Sequence, residues 1–386
     1  VERTNNSPTS FAATRWNPAR LPWKGSWRWA AYPVAGLYAV GILAHRMWTV
    51  GTLTLAKLWG FGAPVQNVKT IGIGNVHVGG TGKTPLALWL LRALEARHAG
   101  EKWGYLSRGY GRTSQKWHLV SADSSSKDSG DEALLVARQS QNTTVGVCAD
   151  RREGLRQLGQ LGCTGVVLDD VLQHRRVRPQ ALVVACPWDR PWDEEALVPL
   201  GTLRDFVGSA RRAQAVVVTG TPEGTSGADW SERAARLRRA ASLPATCPIY
   251  FTLWKYGTLQ PWDPTAEVPL PNKVVCVSGI AQPERFANAV AQQHTVVNEL
   301  RFADHAQLPL EALLDAAAES ATFDLVLTAK DAARMRQTWS QGAPAQQLCA
   351  AGIQLWILPV ELTFLAGPDG GEADALAYLC AHVGLS

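Results

Sequence analysis

The sequence predicts an α/β fold: a parallel sheet sandwiched by helices, followed by a second, smaller α/β domain and preceded by a membrane-associated helix. Three observations predict it. From residue 68 short apolar, β-branched runs alternate with helical stretches, as a parallel sheet covered on both faces requires. The alternation stops in the Pro- and Trp-containing segment 259–272, "LQPWDPTAEVPLPN", where regular structure is not expected, and then restarts. Ahead of both lies a long uncharged run flanked by cations. The boundaries that follow are an anchor over 1–65, a first domain over 66–258, a linker over 259–272 and a second domain over 273–386. A chain of 386 residues, 46% apolar and 18% charged, suffices for two cores.

The anchor reads "WAAYPVAGLYAVGILA", Trp29 to Ala44, with Lys24 and Arg28 before it and His45 and Arg46 after it. As a helix it would be about 24 Å long, short of the roughly 30 Å hydrocarbon core. Apolar residues resume from Met47 to Ala56, so an interfacial helix and a spanning one both stay open. Six of the sixteen tryptophans (Trp16, Trp23, Trp27, Trp29, Trp48, Trp59) lie in this region, in keeping with an anchor whose positive end faces the cytoplasm. No small-x-small site followed by a polar start marks a cleaved signal peptide. Residues 1–65 carry a balance of +6 within a net charge of +5, which leaves the body near neutral and takes away most of the support for nucleic-acid binding by it. Seven scattered cysteines without a C-x-x-C pair read as reduced thiols, and no protein partner is expected.

The first domain opens with a strand, "KTIGIG" (69–74), and a helix from Lys83 to His98. Further strands are expected at 102–107, 144–149, 165–170, 181–186 and 213–220. Between the first strand and helix stands "GNVHVGGTGKTP", Gly74 to Pro85, which matches the phosphate-binding pattern G-x-x-x-x-G-K-[ST] except that His77 occupies the leading glycine position. Gly79, Gly80 and Gly82 allow successive backbone N–H groups to turn towards a phosphate, Lys83 reaches β and γ phosphates, and Thr84 offers a magnesium ligand. The segment His77, Val78, Gly79, Gly80, Thr81, Gly82, Lys83, Thr84 is therefore the expected nucleotide site of a P-loop NTPase-like domain, with ATP and Mg2+ as cofactors. Lys330 and Asp331 in "LTAKDAAR" are adjacent, so the guanine-reading spacing fails and adenine is preferred.

A metal-orienting carboxylate is expected at the end of a neighbouring strand, and "GVVLDD" supplies Asp169 and Asp170, with Gln173 and His174 following on the same turn. Asp131 and Glu132 open a helix at "SGDEALLVA", either as caps or as acids of the site. Arg108 and Arg112 in "SRGYGR", and Arg151 and Arg152 in "ADRREG", stand at strand ends as anion binders. Asp304 and His305 in "RFADHAQL" place a carboxylate beside an imidazole.

Taken in order, "PVAGLYAV", "GNVHVGGTGKTP", "LSRGYGR", "GDEALLVA", "DDVLQHRRVRP", "GTLRDF", "VSGIAQPERF", "FADHAQL" and "LTAKDAARM" resemble the tetraacyldisaccharide 4'-kinases, the lipid A 4'-kinases of Gram-negative bacteria. The resemblance covers nearly the whole chain after residue 25. It implies transfer of the ATP γ-phosphate to the 4'-hydroxyl of a tetraacylated disaccharide 1-phosphate, giving lipid IV-A, at the cytoplasmic face of the inner membrane. It further implies Asp131 as catalytic base paired with His305, Lys83 on the phosphates, Thr84, Asp169 and Asp170 towards magnesium, and Glu132, Arg108, Arg151, Gln173, His174 and Arg204 orienting substrate or phosphate. The chain departs from the family at Val171 (usually Gly), Ala306 (usually His) and Ala329 (usually Glu). A maturation ATPase, suggested by "GGTGKT", would have no use for an anchor together with Asp131 and His305. A cytosolic small-molecule kinase would leave the N-terminal tryptophans unexplained.

Overall fold

The computed structural model describes residues 28–58 and 68–385, save 141, 175, 264, 281, 304, 305, 307, 340–346 and 349. Nine strands make the main sheet: β1 (Lys69–Gly74), β2 (Trp103–Ser107), β3 (His118–Val120), β4 (Thr144–Val147), β5 (Gly165–Leu168), β6 (Ala181–Pro187), β7 (Ala215–Thr219), β8 (Ile249–Tyr256) and, from far along the chain, β14 (Val360–Phe364). Their lateral order is β14-β8-β7-β6-β1-β5-β2-β4-β3. Only the two edge pairs, β14 with β8 and β3 with β4, run antiparallel.

β1 sits between β5 and β6, with Ile71 in register with Val167 on one side and Ala181 on the other. Successive strands leave it in opposite directions, and the crevice outside the carboxyl ends at such a switch point is where open α/β sheets bind ligands. Its side chains are buried on both faces, which explains an apolar run without alternation. On one face α2 (Lys83–Arg97) and α4 (Asp131–Gln139) pack Leu86, Leu90, Leu94 and Val136 over Ile71 and Ile73. On the other, α5 (Arg151–Gln160) and α6 (Gly227–Ala241) bury Leu155, Leu158 and Leu237. The polar loop 121–130 carries a single turn, α3 (Ser126–Ser129), capped by the Ser125 hydroxyl.

The second unit is a five-stranded sheet ordered β11-β10-β12-β13-β9: β10 (Lys273–Ser278), β11 (Thr295–Arg301), β12 (Asp324–Thr328), β13 (Gln354–Leu358) and the two-residue β9 (Gln260–Pro261). Helix α7 (Pro283–Ala291) covers one face; α8 (Leu310–Ser320) and α9 (Ala329–Trp339) cover the other. The expected linker 259–272 thus contributes β9, an antiparallel edge for β13.

The boundary drawn at 273–386 needs correcting. Within "QLWILPV" Pro359 cannot donate to a ladder, and the chain leaves β13 there to enter the main sheet as β14. The final helix, α10 (Glu372–His382), buries Ala375 and Leu379 in the core that α2 forms, while Trp89 packs on Phe364 with centroids 4.3 Å apart. The second unit is therefore an insertion whose entry and exit both lie on the first.

Ahead of the sheet, α1 (Arg28–Leu58) is one helix of 31 residues. It buries Ala31 and Ala35, Tyr38 donates to the Arg204 carbonyl at 2.9 Å, and Arg46 pairs with Asp205 at 2.5 Å. Leu37, Met47 and Trp48 stay more than 70% exposed. Among the described residues no helix is long and apolar enough to cross a membrane.

If α10 belongs to the main core, Leu379→Ala costs about 2–5 kcal/mol and lowers the midpoint of the main-sheet transition followed by Trp89 fluorescence. A loss confined to the second unit would contradict the topology.

Candidate active site

The glycine-rich loop hangs from the carboxyl end of β1, and Gly82 turns it into α2 at φ +81°. A Cβ there would lie 2.5 Å from the Trp254 ring, so conformation and space both demand glycine. The helix begins with no side-chain cap and no acidic residue in its first turn. Its first N–H groups and the positive end of its dipole are thus left for an anion.

Asn75, which sequence reasoning missed, organises the loop from below. Its fully buried amide donates to the His77 carbonyl at 2.9 Å and to Thr81 Oγ1 at 2.8 Å, and its oxygen accepts from Lys83 Nζ at 3.4 Å and an Arg204 nitrogen at 2.5 Å. The Arg190 guanidinium holds the Gly80 carbonyl at 2.9 Å, and Thr219 donates to the Thr81 carbonyl. His77 turns its ring inward. Burial, with Arg190 beside it, lowers its pKa to about 3, so the ring is neutral and the residue offers a phosphate only its backbone. Val78 donates its N–H to the Thr202 carbonyl, Gly79 is exposed at φ +80°, and Thr84 is half-buried in the first turn of α2.

At the end of β5 the two aspartates differ in state. Asp169 is 1% exposed; burial, then the nearby Glu132 charge, pushes it up to about 7 against the Tyr105 hydroxyl that donates to it at 2.8 Å. Asp170 is also pushed up by burial, but Lys83 at 3.7 Å and the Arg204 guanidinium outweigh this and hold it well below the carboxylate range. Asp170 takes the positive φ, +50°, and Val171, where glycine was expected, packs its methyl groups over Gly72. The turn is kept because the strained position is the aspartate.

Gln173 donates to the Asn75 carbonyl at 2.9 Å, and Arg151, buried beneath the aspartates, donates to the Cys148 carbonyl at 2.8 Å. His174, lowered to about 4 by burial and by Arg151, makes no ion pair among the described residues. Arg108 gives its carbonyl to Arg112 and its charge to Arg151 and His174. Lys83, Asp169, Asp170, Glu132, Arg151, Gln173 and Arg204 thus gather around one carboxyl-end crevice. Asp131 opens α4 behind Gly130, which lies at φ +76° against the Gly109 backbone, and its carboxylate meets Arg334 of the second unit at 3.2 Å. His305 and Asp304 lie outside the described residues.

The oxygens present suit magnesium. Asp169 Oδ1 is buried without a hydrogen-bond partner, Asp170 is ionised, and a hard octahedral ion takes one or two carboxylates and completes its shell with phosphate and water. Among the described residues there is no cluster of three metal-ligating side chains.

A family model, tetraacyldisaccharide-1-P 4'-kinase, matches residues 27–377. The chain belongs to that family. Among relatives of the kinase, the tetraacyldisaccharide 4'-kinase of Halorhodospira halophila is 32% identical over 86% of this chain and 88% of its own. That of Cytophaga hutchinsonii is 33% identical over 68% and 75%. LpxK from Aquifex aeolicus, solved in complex with ATP, superposes with a TM-score of 0.64 at 21% identity, over 92% of this chain and 99% of that one, and shares the fold.

Folded Asp169 keeps its proton to about pH 7, whereas an unfolded aspartate releases it near 3.8. The folded state binds the extra proton between these values, so this group's contribution to stability falls as pH rises through that window. Without metal or nucleotide, Asp169→Asn should therefore melt above wild type at pH 8, with the gap closing towards pH 5. A gap that does not change with pH would contradict the assignment.

Proposed function

We infer that the protein is the kinase of its family, moving the γ-phosphate of ATP to the 4'-hydroxyl of a tetraacyldisaccharide 1-phosphate to form lipid IV-A. The observation that carries the reading is the uncapped start of α2 with Lys83 facing the Asp169–Asp170 pair across a glycine-rich loop. Phosphoryl transfer has a loose transition state, so catalysis is mostly alignment and charge stabilisation. In this reading the loop amides and Lys83 hold the β and γ phosphates, and Arg204 and Arg151 steady the charge around the aspartates. Thr84, Asp169 and Asp170 would hold magnesium, which when bound would neutralise phosphate charge. The half-protonated state of Asp169 would shift to the anion in that field. Asp131 accepts the hydroxyl proton, with His305 as its partner. A carboxylate is a weak base, and a late proton transfer from an aligned hydroxyl asks little more of it.

The acceptor is acylated, and α1 supports an interfacial site for it. Leu37, Val40, Met47 and Trp48 are exposed along the helix, while Arg46 and Tyr38 fasten it to the Arg204 segment. The reading places the enzyme at the cytoplasmic face of the inner membrane of a Gram-negative bacterium, with α1 in the headgroup layer.

Lys83→Ala should lose both ATP binding and turnover. Asp131→Ala should lose most turnover while still binding ATP; near-normal 4'-phosphorylation by it would remove the base assignment. Deleting residues 1–45 should move the protein from the membrane to the soluble fraction, and unchanged sedimentation would place the anchor elsewhere.

A further inference from the structure

The motif "LTAKDAARM" lacks the guanine-reading spacing and has no part in the phosphate chemistry proposed above. It ends β12 and opens α9, which lies alongside α4. Asp331 there is fully buried. It accepts from Thr328 Oγ1 at 2.6 Å, from the Gly279 N–H at 3.0 Å and from the Arg334 guanidinium at 2.6 Å. Thus oriented, Arg334 reaches three further groups. It donates to the Gly279 carbonyl at 3.0 Å and to the Ala306 carbonyl at 2.7 Å, and its Nε forms an ion pair with Asp131 Oδ2 at 3.2 Å without an aligned hydrogen bond. Arg334 and Asp131 are only 11% and 13% exposed. Arg138 of α4 reinforces the junction by donating to the Ala333 carbonyl.

We propose that Arg334 is a positioning residue for the Asp131 base. It holds that carboxylate beside the Gly279 and Ala306 carbonyls of the second unit, and so fixes the direction of the base across the two units. The proposal rests on Asp131 being the base. A planar guanidinium suits the task because its fork is itself held in a fixed direction by the Asp331 carboxylate and the Gly279 and Ala306 carbonyls, which sets its charge against Asp131 in a way a lysine ammonium cannot reproduce. The pair is shielded enough that orientation, more than net stability, is what it supplies. The second unit thereby acquires a role besides covering the crevice: Thr328 and Asp331 brace Arg334, and Arg334 braces the base.

The test uses the full-length chain in detergent with magnesium, ATP and the disaccharide acceptor, comparing Arg334→Met, Arg334→Lys, Asp131→Asn and the double variants. Misalignment of a reacting group predicts a kcat loss on the order of 100-fold for Arg334→Met, with KM for ATP held within about two-fold because the loop is untouched. Arg334→Lys, which keeps the charge and the bond to Asp331, should recover part of kcat and fold normally. In the Asp131→Asn background the Arg334 substitutions should cost almost nothing further, since residues acting as a unit are non-additive. A fully multiplicative loss would mark a merely structural residue and overturn the proposal. So would wild-type kcat in both Arg334 variants while Asp131→Asn is inactive, a result that leaves the base assignment standing. Normal turnover by Asp131→Asn would overturn both.

Discussion

The structure depends on one electrostatic arrangement: the positive start of α2, with Lys83, set against the carboxylates that end β5. Two like charges on adjacent residues inside a protein are tolerable only when a cation lies beside one and a proton or metal on the other. Lys83 and Arg204 keep Asp170 ionised, while Asp169 next door is pushed towards its neutral form with one oxygen left without a partner. The site is therefore prepared for added charge of both signs, a polyphosphate and its metal. Asn75 ties these parts together, touching the loop, Lys83 and Arg204 at once.

The remaining architecture braces this arrangement from three sides. The sheet brings β1 and β5 into direct pairing, so loop and aspartates end at the same level. Helix α1 fastens the 203–206 strap through Tyr38 and Arg46, and that strap delivers Arg204. The inserted unit meets the first at Asp131 through Arg334 and, near the loop, at Asp189 through Gln282 and Arg285. Helix α1 and the inserted unit thus both end on residues beside the proposed chemistry.

Much of this was legible in the sequence. The six expected strands of the first domain are present, because buried parallel strands are continuous apolar runs, and the loop is recognisable because its glycines answer to backbone geometry. Three things were not legible. The departure of β14 from β13 hinges on Pro359 alone, and nothing local says which sheet receives the next strand. Asn75 and Tyr105 look like loop and core residues until strand pairing sets them beneath the glycine-rich loop and against Asp169. Arg334 is separated from Asp131 by some two hundred residues, and only the packing of α9 on α4 joins them. His77, the apparent flaw in the motif, is a neutral core residue under the loop, and Val171 is accommodated because the left-handed turn falls on Asp170.

The central claim is that this crevice transfers phosphate to a lipid-linked sugar hydroxyl. Its most direct test is to incubate the full chain with γ-labelled ATP, magnesium and tetraacyldisaccharide 1-phosphate in detergent micelles and to locate the label in the product. The account predicts a bis-phosphorylated disaccharide carrying the label on the 4'-oxygen. ATP hydrolysis with no label on the lipid would contradict it.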